Sequence, residues 1–198
     1  MPRMKPSLIL ASTSRYRREL LQRLRLPFTV QAPHTDETPL PGERPAALAL
    51  RLALAKAQAV AAEHPEAIVI GSDQVADLHG EPIGKPGDFE RAVQQLRRMS
   101  AQQVVFQTAV AVVRRDTGFA QALLAPVTVT FRALSDAEIE RYLHLDQPFD
   151  CAGSAKSESL GVTLLQRIDS DDPTALVGLP LMRTCELLRQ AGLDPLAT

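Results

Sequence analysis

Ser12 and Ser14 stand between an apolar run, Leu8-Ile9-Leu10-Ala11, and a stretch bearing Arg17 and Arg18 with apolar residues at Tyr16, Leu20, Leu21 and Leu24. The run reads as a buried strand and the stretch as a helix. Together they build a seat for an anion, because the first N–H groups of a helix lack internal partners and its dipole there is positive. Arginines in a first turn oppose that dipole, so Arg17 and Arg18 point to a bound phosphate. A plain N-cap at Ser14 beside a solvated basic face fits the same residues.

Other candidates follow along the chain. Asp36-Glu37 lies in a proline-rich loop, where carboxylates can hold a hard cation or simply face water. Lys56 falls at the edge of a helical apolar stripe, placed either to reach a cleft or to extend into solvent. Gly71-Ser72-Asp73-Gln74 follows the run Ala67-Ile68-Val69-Ile70. The end of a buried strand is where an open α/β sheet carries a catalytic group. Lys85 follows the flexible Gly84, and Gly153-Ser154-Ala155-Lys156-Ser157-Glu158 is small and polar with no period.

These groups need a scaffold, and the rest of the sequence describes one. Phe28–Ala32 reads as a strand. Pro45 opens a helix to about Glu63, with Leu48, Leu52, Ala55 and Ala59 as its stripe. After the strand at 67–70, Val75–Leu78 and Glu81–Ile83 form a hairpin around His79-Gly80. Asp88 caps a helix from Phe89 to about Met99. A strand at 103–113 turns at Arg115–Gly118 and returns in two pieces, 121–124 and 127–131. Ser135 and Glu138 make a capping box. A strand at 162–168 precedes a last helix, which Gly192 stops. The pattern is α/β with a mixed sheet.

Hydrophobic residues make up 45% of the 198, with no tryptophan and 4% aromatics, so the core must be aliphatic. A formal net charge of -1 gives no bulk attraction to nucleic acid or to an anionic membrane, so anion binding must come from local placement of Arg and Lys. No stretch reads as a signal peptide or a membrane span. Cys151 and Cys185 are too few for a disulfide framework and read as small core residues of a cytoplasmic protein with reduced thiols. His34, His64, His79 and His144 have no mutual metal spacing.

Ser-x-Ser with Arg17-Arg18, Glu37, Lys56, Gly-Ser-Asp-Gln, Gly-Lys-Pro and Ala-Gly-Ser-x-Lys-Ser-Glu, in this order, resemble the Maf family of nucleoside triphosphate pyrophosphatases. The resemblance runs from about Leu8 to the last helix and is nearest the YceF-like subgroup, which hydrolyses 7-methyl-GTP. It implies a single domain over 1–198, of the inosine-triphosphate-pyrophosphatase type: an elongated, twisted mixed sheet with flanking helices and two lobes around a nucleotide cleft. It also implies a divalent metal (Mg, Mn or Co) on Glu37 and Asp73, with Asp73 as the acceptor that activates water. Ser12, Ser14, Arg17, Arg18, Lys56 and Lys85 are the implied triphosphate cradle, and a homodimer is implied at family level.

Tyr16, Gln74 and Glu158 depart from what pyrimidine-specific members carry. An aromatic face suits a base made cationic by N7-methylation, and a carboxylate can accept from guanine N1–H and N2–H₂. Tyr16 as a helix core residue, and Glu158 paired with Lys156, are the plainer readings. Arg15 replaces the family's usual proline and is expected beside the site rather than in it. The rival functions are a dTTP/UTP pyrophosphatase of the same family and a non-enzymatic regulator of cell division.

Overall fold

The computed structural model describes residues 6–197. Its elements are β1 (Leu8–Ala11), α1 (Arg15–Gln22), β2 (Thr29–Gln31), α2 (Pro45–Glu63), β3 (Ile68–Leu78), β4 (Glu81–Ile83), α3 (Phe89–Met99), β5 (Gln103–Arg114), β6 (Phe119–Phe131), α4 (Asp136–Asp146), β7 (Leu165–Asp169) and α5 (Leu181–Gln190). One mixed sheet runs in the order β2-β1-β3-β5-β6-β7, with β4 also pairing β3. The α/β class with a mixed sheet and flanking helices is therefore observed.

The long strands β3, β5 and β6 pass through two packed regions. At one end, alternation splits the side chains. Ile9, Ala11 and Val69 pack with α2 on one face, while Leu8, Leu10 and Ile70 pack with α1 and α5 on the other. At the other end Ala76, Leu78, Phe106 and Val129 pack against α3 and α4. Two lobes thus share one sheet.

β3 runs further than the apolar pattern of 67–70 implies. It does not end at Ile70: Gly71-Ser72-Asp73-Gln74 lies inside the strand, and the expected hairpin arm 75–78 is its continuation. β5 supplies the reason, pairing with β3 from Val69↔Val113 to Asp77↔Val105. On the opposite edge, β1 pairs only as far as Gly71 and β4 begins at Ala76. Among the described residues, no strand lies beside 72–75 on that edge. Asp73 stands in this gap, in mid-strand.

Other bounds also shift. The two pieces at 121–124 and 127–131 are one strand, β6, which crosses Pro126 where no strand lies on its far side. Residues 160–164 form a 3-10 turn, so β7 starts only at Leu165.

α2 spans Pro45–Glu63 as expected, but its buried stripe is Leu48, Ala49, Leu52, Ala53, Lys56, Ala57, Val60 and Ala61. Lys56 lies within the stripe, not at its edge. By length and composition α2 is the one helix among the described residues that could cross a membrane, yet here it packs on β3 and β5.

The approach of α2 to β3 requires Gly71. A Cβ there would come within 2.2 Å of Ala53 O and 2.7 Å of Ala57 N, both backbone atoms. Gly71→Ala should therefore cost about 1–3 kcal/mol of stability through overpacking, and it should lengthen the reach from Lys56 to Asp73. Thermal denaturation checks the first effect; an unchanged melting temperature would mean that α2 is free to slide.

Candidate active site

Ser14 does cap α1: its hydroxyl accepts from Arg17 N at 3.4 Å, and Ser12 Oγ accepts from Ser14 N at 3.1 Å. The turn after β1 is thus stitched by its own hydroxyls, beside the gap in β3. A cleft of about 590 Å³ opens there. Ser12, Ser14, Tyr16, Arg17, Glu37 and Lys56 line it from one lobe, together with Gln74 of β3. Lys85 and Glu158 line it from the other side.

Asp73 lies beneath this wall, 7% exposed, and joins the site through Lys56. Lys56 Nζ is 2.7 Å from Asp73 Oδ1 and 2.7 Å from Glu37 Oε1. The two carboxylates thus converge on one buried ammonium. Burial works against the charge on Glu37, but Lys56, with Lys85 and Arg17 further off, outweighs it and holds the carboxyl below its ordinary value. Burial lowers the pKa of Arg17, against the opposing pull of Asp73 and Glu37. Arg18, also expected in the cradle, is exposed and is not among the residues that line the cleft.

The floor of the cleft is a turn that the sequence reading missed. Gly178 O accepts from Arg17 Nε at 2.8 Å, and the one proton of Ser72 Oγ is shared between Gly178 O at 2.9 Å and Ala109 O at 2.8 Å, so α1, β3 and β5 meet at this carbonyl. Gly178 has φ 122°, a conformation that favours glycine. The two N–H groups of Gln74 Nε2 are shared among three acceptors, Thr108 Oγ1 at 2.9 Å and the carbonyls of Leu176 at 3.0 Å and Ala175 at 3.1 Å. Its N–H groups hold the turn and are not free to read a base. Asp172, fully buried, accepts from Met182 N at 2.9 Å and Arg183 N at 3.2 Å, capping α5 and fixing the turn from behind. No short-range pattern announces these contacts.

At the other end, Arg15 lines the cleft, against expectation. Its guanidinium sits 4.7 Å over the Tyr16 ring and donates to Tyr16 Oη at 2.8 Å. Tyr16 is half-buried and open to the cleft, not a core residue. Lys156 Nζ donates to Asp146 O at 3.1 Å and lies 3.9 Å from Asp150, so it does not pair with Glu158. Glu158 is exposed on the cleft wall, with Ser157 Oγ at 3.5 Å. Asp150 and His34, to which no role was given, also line the wall. Cys151 is a wall residue too, its thiol pushed up to about 12 chiefly by burial, and hence not nucleophilic at neutral pH.

The loop bearing Glu37 is clipped to α2 at a second point. Arg51 donates to both oxygens of Glu43, at 2.6 and 2.8 Å, and to Thr38 O. Arg51, with Leu40 N–H, holds Glu43 down at about 2 from an ordinary 4.5. A depressed carboxyl stabilises the fold above its unfolded pKa, and that contribution is lost as pH falls through the folded one. The clip should therefore be intact above about pH 4.5 and released near pH 2. A carbon NMR titration should find Glu43 titrating near the lower value in wild type and near the upper one in Arg51→Ala; equal midpoints would remove the clip.

Among the described residues no group of three or more His, Cys, Asp or Glu is placed to hold a metal. Glu37 and Asp73 are nevertheless a fitting pair for a hard cation that takes its other ligands from phosphate and water. A positive charge, the Lys56 ammonium, already stands between them.

Comparison with known proteins bears on the same residues. The chain is 69% identical over 185 residues to a 7-methyl-GTP pyrophosphatase of Polaromonas sp., covering 93% of this chain and 84% of that one. It is 62% identical to a protein of the same name from Albidiferax ferrireducens, over 96% and 95% of the two chains. A third, from Thiobacillus denitrificans, is 58% identical over 99% and 98%. The Ham1 protein of Staphylococcus aureus superposes on 63% of the chain with a TM-score of 0.46 and 16% identity. Residues 7–191 match the family described as Maf-like protein. That span takes in every element from β1 to α5 and every wall of the cleft, so the chain belongs to the Maf-like family.

Proposed function

We propose that this chain hydrolyses 7-methyl-GTP to 7-methyl-GMP and pyrophosphate. The observation that carries the reading is the convergence of Glu37 and Asp73 on one buried cation position in a cleft that also holds Arg17, Lys85 and Ser12. Relatives of that name, 58–69% identical across nearly the whole chain, support the substrate.

In this reading Arg17 and Lys85 take phosphate oxygens, with the N-terminus of α1 behind them. Asp73 Oδ1 is committed to Lys56, and Oδ2, with no protein hydrogen bond among the described residues, is left to accept a proton from water. The water oxygen bonds the α-phosphorus, the bond from that phosphorus to the α–β bridging oxygen breaks, and pyrophosphate leaves. Glu37 and Asp73 would hold the divalent metal. When bound, it supplies charge against the phosphate oxygens and lowers the pKa of coordinated water. Glu158 is the proposed reader of the guanine edge. The proposed setting is the cytoplasm, in keeping with two free cysteines.

The test is pyrophosphate release from 7-methyl-GTP, GTP, UTP and dTTP, with Mg²⁺, with Mn²⁺ and with a chelator. The expected result is a kcat/KM for 7-methyl-GTP about tenfold or more above the others, lost on chelation. Faster turnover of UTP or dTTP would replace this substrate with the pyrimidine one.

A further inference from the structure

We infer that Lys56 is a resident counter-ion that closes the divalent-cation position in the free protein, so that the metal enters only together with a triphosphate. The inference rests on the proposed function above and adds an order of binding to it.

The geometry gives Lys56 little freedom. It issues from the buried stripe of α2 among Leu52, Ala53, Ala57 and Val60 and is 5% exposed. Gly71 holds that stripe against β3, because even a methyl group would meet Ala53 O and Ala57 N. The backbone that carries Lys56 is therefore held against β3, and only the side chain itself can move the ammonium. Nor does it lie idle, since both carboxylates are bound at 2.7 Å. A divalent cation ligated by the same two carboxylates would stand ~2.0–2.6 Å from them, which is the place the ammonium fills. Two cations within that distance in a partly buried site repel strongly. Free metal must therefore push the ammonium off both its partners and into the cleft, where only water replaces two charge-assisted bonds.

A triphosphate changes this balance. An ammonium has three N–H donors, of which two are used here, and Lys56 lines the cleft. Phosphate oxygens arriving beside Arg17 and Lys85 give the ammonium new acceptors. As Lys56 turns to them, Glu37 and Asp73 are freed at the moment when the phosphates can complete a metal's shell. The same step shifts the load on the loop, which then stays clipped to α2 through Arg51 alone among the contacts described.

The experiment reads Mn²⁺ binding directly, by the paramagnetic resonance signal of the free ion and by titration calorimetry. It compares wild type, Lys56→Met and Lys56→Arg, with and without α,β-methylene-GTP. Met keeps the length and apolar stem of the side chain, whereas Arg keeps its charge; circular dichroism checks that both fold. Wild type should bind Mn²⁺ at least tenfold more tightly with the nucleotide than without it, after correction for binding to the nucleotide alone. Lys56→Met should bind Mn²⁺ without nucleotide at least tenfold more tightly than wild type, and Lys56→Arg should not.

Equal wild-type affinity for Mn²⁺ with and without nucleotide overturns the inference, as does a Met variant that binds no better. If Lys56→Met fails to fold, Lys56→Gln takes its place in the same comparison, and the wild-type result by itself serves only to overturn. Failure of the proposed function looks different: no pyrophosphate would be released from any nucleotide in the panel.

Discussion

Asp73→Asn should fold and yet lose at least ~100-fold in kcat, the loss typical when a general base is removed. The substitution keeps the shape of a side chain that is 7% exposed, and the backbone pairing of Asp73 with Ala109 does not depend on it. Asn Oδ1 can still accept from Lys56, which also keeps Glu37, so no buried ammonium is left without a partner. The fold is therefore expected to survive with a drop in melting temperature of a few degrees. What disappears is the negative charge: the amide can neither take a proton from water nor act as an anionic ligand. Single-turnover measurement on 7-methyl-GTP separates this from weaker binding, because the loss should appear in kcat rather than in KM alone. A variant with near-normal turnover would remove Asp73 from the mechanism, and Glu37 would have to carry the base.

Local rules carried much of this fold and stopped at identifiable places. The Ser135–Glu138 capping box, the Asp88 cap and Pro45 at the start of α2 are contacts within one helical turn, and all are present. β3 failed because its partners are distant in sequence. Only the β5 ladder shows that Gly71–Gln74 is strand, whereas the polar residues alone resemble a strand end. The stripe on α2 was set one position off by the run of alanines and leucines, which gives nearly every face an apolar residue.

The same division holds in the site. Ser12, Ser14, Tyr16, Arg17, Glu37, Lys56, Gln74, Lys85 and Glu158 line one cleft, and it was the family resemblance carried by their motifs that grouped them. The bridging role of Lys56 was not legible, since it needs α2, β3 and the loop at Glu37 together. Nor was the turn at Gly178, whose bonds reach 161 positions to Arg17 and 106 to Ser72.

Glu158→Gln should cost 7-methyl-GTP about ten- to a hundredfold in kcat/KM and leave UTP and dTTP unchanged or improved. The structure removes the main objection, a Glu158 occupied by Lys156: that ammonium is held by Asp146 O and faces Asp150. Glu158 is exposed on the cleft wall, so a base entering the cleft can reach its carboxylate. Against guanine, a carboxylate accepts from N1–H and N2–H₂ and matches the positive charge that N7-methylation creates. Gln presents one donor to N1–H, so one contact becomes a clash and the charge match is gone. Losing a charge-assisted pair of this kind costs ~1.5–3 kcal/mol.

Tyr16→Ala should add a smaller loss. The Arg15 guanidinium already lies 4.7 Å over that ring and competes with a cationic base for its face. The measurement is kcat/KM for 7-methyl-GTP, GTP, UTP and dTTP on wild type and both variants. A fall of equal size for all four nucleotides would show that Glu158 serves phosphate or metal. In that case Asp150, the other carboxylate on the same wall, would be the group left to meet the base.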